Sequence, residues 1–298
     1  MCGIVGLHLR NPDLRPRLGQ LLTEMLGEMS DRGADSAGVA VYGDPTWSPP
    51  GQGCVSLLGV HDSAEDIAAA TEARVHSPVT VTPIGATYQL SAAVDTDLLL
   101  AAAREVCPDA LVAGFGQDLT VLKGVGHPRE LTRQWGLASA GGWQGVGHTR
   151  MATESAVTPS GAHPYAVGPG QCLVHNGSFA NHATIRRDLI AAGAQFDSEN
   201  DTEVGARFVA HQLASGRDVE TALKELCATF DGFYTLLVSN RDSFAVVRDA
   251  IACKPAVIAE TPDWVAMASE YRALAGLPGV AQAQIWEPEP EVVYAWTR

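Results

Sequence analysis

The chain is 298 residues long, 46% hydrophobic and 18% charged, with a formal net charge of −14. That length supplies a large core, and the composition is that of a folded protein and not a disordered one. The acidic balance excludes a groove built to neutralise nucleic-acid phosphates. No apolar run reaches the ~20 residues that a membrane span requires.

The opening Met-Cys-Gly-Ile-Val-Gly-Leu lacks the basic start and long apolar stretch of a signal peptide, so a cytoplasmic location is expected. Residues 2–9 (CGIVGLHL) read as a buried strand, β-branched at Ile4 and Val5 and stopped by Asn11-Pro12. Leu18, Leu21, Leu22, Met25, Leu26 and Met29 recur at helical spacing over 18–29. Residues 37–42 (AGVAVY) return as a strand, and the Gly- and Pro-rich 43–53 reads as a surface loop.

From 54 to 124 the pattern predicts a strand at 54–60 and a helix at 63–75 capped by Ser63, then strands at 79–84 and 87–93. A second helix at 95–106, capped by Asp95 or Thr96, precedes a last strand drawn from 109–114 with 119–123. That order, βαββαβ, is the ferredoxin-like split arrangement, here an inserted small α/β subdomain. Beyond it, a short helix is expected at 128–135, with apolar strands at 146–148 and 171–174. Helices follow at 201–213 and 219–229, then strands at 234–239, 244–248, 256–259 and 265–268. A helical turn at 270–275 and a strand at 292–296 complete a layered α+β chain without internal repeats.

Six cysteines are scattered without CxxC or metal-ligand spacing. Cys54, Cys107, Cys172, Cys227 and Cys253 read as buried small hydrophobes. Cys2 differs, because removal of Met1 would leave a thiol and a free α-amine on one residue. Such an amine titrates near ~7.7–8.0 and can act as a base beside its own nucleophile. Taken alone, a Met-Cys start is better explained as a strand cysteine without chemistry.

Four polar clusters are expected at strand ends or turns: 31–38 (DRGADSAG), 147–155 (GHTRMATES), 175–177 (HNG) and 199–204 (ENDTEV). The Asn176 amide and the Gly177 N–H can converge on one point as an oxyanion hole, or form a simple Asn-Gly turn. Arg150 and Asp201, read as lying in separate loops, can clamp the two charged groups of an α-amino acid or form a structural ion pair. Arg32 reads as a structural arginine supporting the site.

Together these clusters resemble the class II glutamine amidotransferases, the type with an N-terminal cysteine nucleophile. The resemblance rests on Cys2-Gly3-Ile4-Val5-Gly6, Arg32-Gly33-x-Asp35-Ser36-x-Gly38, Gly147-His148-Thr149-Arg150-x-x-Thr153, His175-Asn176-Gly177 and Asn200-Asp201-Thr202-Glu203. Weaker matches are Arg248-Asp249 with Lys254-Pro255, and Ser269-Glu270-x-x-Ala273-Leu274. It implies a four-layer αββα fold. It also implies that Cys2 attacks the glutamine side-chain amide, that Asn176 and Gly177 hold the oxyanion, that Arg150 with Thr153 binds the α-carboxylate, and that Asp201 binds the α-ammonium. His175 and Arg32 are supporting residues in that scheme. The products are glutamate and ammonia, and the half-reaction uses no metal and no organic cofactor.

The chain departs from the sugar-phosphate amidotransferases in Met151 and Glu154, where they carry Trp and His, and in a longer stretch between Tyr42 and Gly145. DRGADSAG, GHTRMATESAV and HNGSFANH are most similar to stand-alone subunits related to glutamate synthase, in particular the amidotransferase subunit of N-methylglutamate synthase. The chain ends where the glutaminase domain ends, so the expected partner is a separate ammonia-accepting synthase subunit carrying flavin or iron–sulfur groups. The inserted segment is expected on the rim of the core, either contacting that partner or a second copy of the chain as a homo-oligomer, or as a passive surface elaboration. The alternatives are a hydrolase of another amide and a non-catalytic glutamine-sensing regulatory subunit.

Overall fold

The first strand, β1 (Gly3–Leu9), sends Val5, Leu7 and Leu9 into one apolar layer and Ile4 into another, as the period of two requires. The computed structural model describes residues 2–152 and 156–298. After β1 come α1 (Leu18–Glu28) and β2 (Ser36–Tyr42), then β3 (Gly53–Leu58), α2 (Ala64–Val75), β4 (Val79–Ile84), β5 (Thr87–Ala92), α3 (Thr96–Val106), β6 (Leu111–Gln117) and β7 (Leu119–Val125). Next are α4 (Pro128–Gln134), β8 (Gln144–Arg150), β9 (Cys172–Phe179), α5 (His182–Ala191), α6 (Asp201–Ala214) and α7 (Val219–Thr229). The remaining strands are β10 (Gly232–Ser239), β11 (Ser243–Arg248), β12 (Val257–Glu260), β13 (Trp264–Ala268), β14 (Gln284–Trp286) and β15 (Tyr294–Thr297).

A seven-stranded sheet has the order β14-β12-β13-β1-β8-β2-β7, and a four-stranded sheet has the order β15-β11-β10-β9. Alternation along the strands builds three apolar layers. Val39 and Val41 of β2 pack with Leu22, Met25 and Leu26 of α1 on the outer face of the large sheet. Val146, Val265 and Met267 meet Val174, Leu237, Phe244 and Val246 between the two sheets. Leu236, Val238, Ala245 and Val247 meet α5, α6 and α7 beyond the second sheet, through residues such as Ile185, Val209 and Leu223. The result is the expected helix–sheet–sheet–helix stack.

A third sheet, β4-β5-β3-β6, carries α2 and α3 on one face, with Ile67, Val75, Leu99 and Ala103 packed on Val55, Leu57 and Leu90. Its strand order and its antiparallel pairings are those of a split βαββαβ unit. Ser63 and Asp95 cap the two helices, accepting from the Asp66 and Asp97 amides. The unit sits on the β7 edge of the large sheet. There the Val121 amide donates to Ser56 Oγ at 3.0 Å and Gln89 Nε2 to the Leu119 carbonyl at 3.1 Å.

Three expectations need correction, and one helix was not expected. The strand material at 109–114 and 119–123 forms two strands in different sheets, because Asp118 turns the chain with φ at 59°. The strand before His175 does not end there but runs to Phe179. The helix α5 gave no sequence signal: it buries only Ile185 and Leu189 and has no side-chain cap. Of the five cysteines expected in the core, Cys227 is half-buried and Cys253 is exposed.

Candidate active site

Cys2 precedes β1, the strand flanked by β13 and β8 in the large sheet, and is half-buried. Its carbonyl oxygen accepts from Arg32 Nε at 2.8 Å and from Asn176 Nδ2 at 3.3 Å. Arg32 is buried in a short 3₁₀ turn, and its Nη1 pairs with Glu270 at 2.6 Å. Ser269 fastens the next residue, since its Oγ accepts from the Ile4 amide and its own amide donates to the Ile4 carbonyl, both at 2.9 Å. Residues 2–4 are therefore fixed by groups from three distant parts of the chain.

The second sheet ends at β9, whose outer edge faces this point. In an antiparallel ladder, alternate residues of an edge strand turn their backbone groups away from the partner strand. On β9 these are Leu173, His175, Gly177 and Phe179. Leu173 exchanges two hydrogen bonds with Tyr165 at 2.9 Å. The His175 amide donates to His163 Nδ1 at 3.2 Å, and the Phe179 amide donates to Asp201 Oδ2 at 2.9 Å. Opposite Gly177, the Tyr234 amide is taken by Asp249 Oδ1 at 2.7 Å, which marks that pair as non-hydrogen-bonded and sends the Gly177 N–H to the open edge. Among the described residues no acceptor meets it there. Asn176 and Gly177 thus lie within a strand, not in a turn. Gly177 holds φ at 149°, and a Cβ on it would strike the Phe233 carbonyl.

Arg150 is the last residue of β8 and Asp201 the first of α6, so neither lies in a loop. The 31–38 cluster clasps the Arg150 segment. The Asp35 amide donates to the Arg150 carbonyl at 3.1 Å, and Asp35 Oδ2 accepts from the Ala152 amide at 2.9 Å. A Cβ on Gly33 would fall on the Arg150 backbone. The Arg150 guanidinium is buried and bonds the Ala156 carbonyl at 3.2 Å. Asn200 caps α6 by accepting from the Thr202 amide at 2.9 Å, which directs Asp201 toward the end of β9. Both Arg150 and Asp201 act electrostatically on the Tyr165 phenol, whose pKa is raised chiefly by burial. Thr153 lies outside the described residues.

The family model of the glutamine amidotransferase domain matches residues 148–276. The glutamine amidotransferase-like protein GlxB of Rhizobium meliloti (strain 1021) is 47% identical, over 99% of this chain and 98% of its own length. The chain belongs to the class II glutamine amidotransferases. A putative glutamine amidotransferase of Methanothermobacter thermautotrophicus is 29% identical over 99% of both chains. The solved glutamine phosphoribosylpyrophosphate amidotransferase of B. subtilis shares the fold, with a TM-score of 0.62 and 19% identity over 99% of this chain. This amidotransferase spans about half (49%) of that structure's length, and 24% of the glutamine–fructose-6-phosphate aminotransferase of Thermococcus kodakarensis, to which it is 34% identical over 143 residues.

Behind its candidate site the amidotransferase packs three buried histidines. His148 stacks on His163 at 4.0 Å, and His175 stacks on Phe179 at 4.4 Å. Burial lowers the pKa of all three, to about 3 for His148 and about 4 for His175. Each ring is therefore neutral at physiological pH and acts as a hydrogen-bonding group, not a charge. Among the site neighbours, His163, Thr202 and Ser269 were not legible as such in the sequence. His163 belongs to none of the polar clusters; Thr202 and Ser269 sit inside matched motifs, which is the signal that could have found them. The described residues contain no helix long and apolar enough to cross a membrane.

Proposed function

We propose that this chain is a glutaminase component, hydrolysing L-glutamine to glutamate and ammonia through a γ-glutamyl thioester on Cys2. The observation that carries this reading is the pair of donors beside Cys2: the Asn176 amide, bonded to the Cys2 carbonyl, and the Gly177 N–H on the open edge of β9. With Met1 removed, the α-amine of Cys2 takes the thiol proton, and Sγ attacks the side-chain amide carbon of glutamine. The carbonyl becomes an oxyanion that accepts from the second N–H of Asn176 Nδ2 and from the Gly177 N–H. Collapse breaks the C–N bond while the α-ammonium returns its proton to the leaving nitrogen, and ammonia departs. Water, deprotonated by the same amine, then attacks the thioester, releasing glutamate and restoring the thiol. None of these steps calls for a metal or an organic cofactor.

In the same reading Arg150, with Thr153, receives the glutamine α-carboxylate, and Asp201 receives the α-ammonium. Arg32 and His175 support the site by fixing Cys2 and β9. The ammonia passes to a separate synthase subunit of glutamate-synthase or N-methylglutamate-synthase type, in a cytoplasmic setting. What supports this finer reading is the similarity of 31–38, 147–157 and 175–182 to such subunits.

The test is ammonia release from glutamine by wild type and by Cys2→Ala, with intact mass measured on both. Loss of release in Cys2→Ala, with Met1 absent from the wild type, is the expected result. Near-wild-type release from Cys2→Ala overturns the nucleophile. A wild-type chain that retains Met1 and binds glutamine without turnover is a sensor instead. Co-purification from the native host identifies the acceptor subunit, and a chain that purifies alone removes it.

A further inference from the structure

The ring of His163 is held by two hydrogen bonds of opposite sense. Its Nδ1 accepts from the His175 amide at 3.2 Å. A backbone amide can only donate, so this nitrogen is bare and the neutral ring carries its proton on Nε2. Nε2 lies 3.4 Å from Thr202 Oγ1, which therefore receives that proton. The same hydroxyl lies 2.9 Å from His175 Nδ1 and 3.4 Å from Asp201 Oδ1. His148 closes the group by donating from Nε2 to the His175 carbonyl at 3.0 Å. Thus β8, β9, the 163 segment and the first turn of α6 meet at one buried node.

β9 is an edge strand: β10 pairs along its length, and on the other side, among the described residues, the backbone pairing is a single bridge from Leu173 to Tyr165. On the open side the residue before Asn176 is held by His163 and His148, and Asp201 is tied to the same node through Thr202. His163 and Thr202 are 4% and 2% exposed, so they act through the groups they bond. We propose that His163 and Thr202 are positioning residues which hold the Asn176–Gly177 donors and the Asp201 carboxylate as one unit. A single buried hydroxyl then serves both oxyanion stabilisation and substrate binding. This inference rests on the glutaminase reading above.

Thr202→Val keeps the volume and removes the hydroxyl, whereas Thr202→Ser keeps the hydroxyl. Glutaminase kinetics are measured per reactive Cys2 thiol, counted by alkylation, alongside thermal unfolding. Thr202→Val is expected to lower kcat and raise KM together, with kcat/KM falling about a hundredfold, the loss associated with ~1 Å of misplacement. Thr202→Ser is expected to restore both constants. Imidazole ¹⁵N spectra of the wild type are expected to show His163 bare at Nδ1 and protonated at Nε2. Wild-type kcat and KM per thiol in Thr202→Val, or a protonated Nδ1 on His163, overturns the proposal. A wild-type chain that releases no ammonia from glutamine overturns the glutaminase reading instead, with the His163 spectrum unchanged.

Discussion

A 3.3 Å hydrogen bond from Asn176 Nδ2 to the Cys2 carbonyl joins two residues separated by 174 positions in the chain. It uses one of the two amide hydrogens and leaves the other for the oxyanion of the proposed mechanism. A side chain used this way contributes most where negative charge develops on the attacked carbonyl. Asn176→Ala is therefore expected to lower kcat by about 10²–10³ with a small change in KM. Steady-state glutaminase kinetics check this, and an altered KM with unchanged kcat would move Asn176 to substrate binding.

Gly177 is required for a different reason. Its φ of 149° is unfavourable for any residue with a Cβ, and the Cβ would press on the Phe233 carbonyl. Gly177→Ala is expected to cost about 1–3 kcal/mol of stability, the size of stored backbone strain, and to displace the donor from the open edge. Thermal unfolding and activity should fall together. A variant with wild-type melting and activity would show that β9 tolerates the side chain.

The charged ends of the substrate supply a third prediction. A lysine at 150 keeps the charge but not the paired donors of a guanidinium, and an asparagine at 201 keeps the shape but not the charge. Arg150→Lys and Asp201→Asn are each expected to raise KM for glutamine, by the equivalent of about 1.5–3 kcal/mol for one lost charge-assisted bond. Isothermal titration with glutamine on a Cys2→Ala background measures this directly. Unchanged affinity in both variants would remove the clamp.

Acid sensitivity follows from the buried histidines. Burial pushes His148 down to about 3 and His175 to about 4, from an ordinary value of 6.5, and depresses His163 as well. As pH falls below 6.5, the unfolded chain binds protons on these rings while the folded chain does not. Their contribution to stability is therefore complete above pH 6.5 and declines progressively toward pH 4. Melting temperatures measured from pH 7.5 to 4.5 should fall, and His148→Gln should flatten the slope. A wild-type melting temperature constant across that window would contradict neutral buried rings.

Local chemistry is legible in this sequence because local physics generates it. Short apolar runs bounded by turn residues mark β1 and β2, the spacing of Leu18 to Leu26 marks α1, and Ser63 and Asp95 mark helix starts. Cys2 stands out because loss of Met1 would leave a thiol and a free α-amine on one residue, the pairing the proposed mechanism uses. Only the tertiary structure decided that Arg32 and Asn176 both grip the Cys2 carbonyl, and that His175-Asn176-Gly177 lies inside an edge strand. It likewise decided that Asp118 sends β6 and β7 to different sheets, and that His163 and Thr202 meet behind β9. These relations depend on strand register and on which sheet edge stays open. Both are fixed by packing between segments as much as 265 residues apart, as in the Ile4–Ser269 bond, and no local periodicity records them.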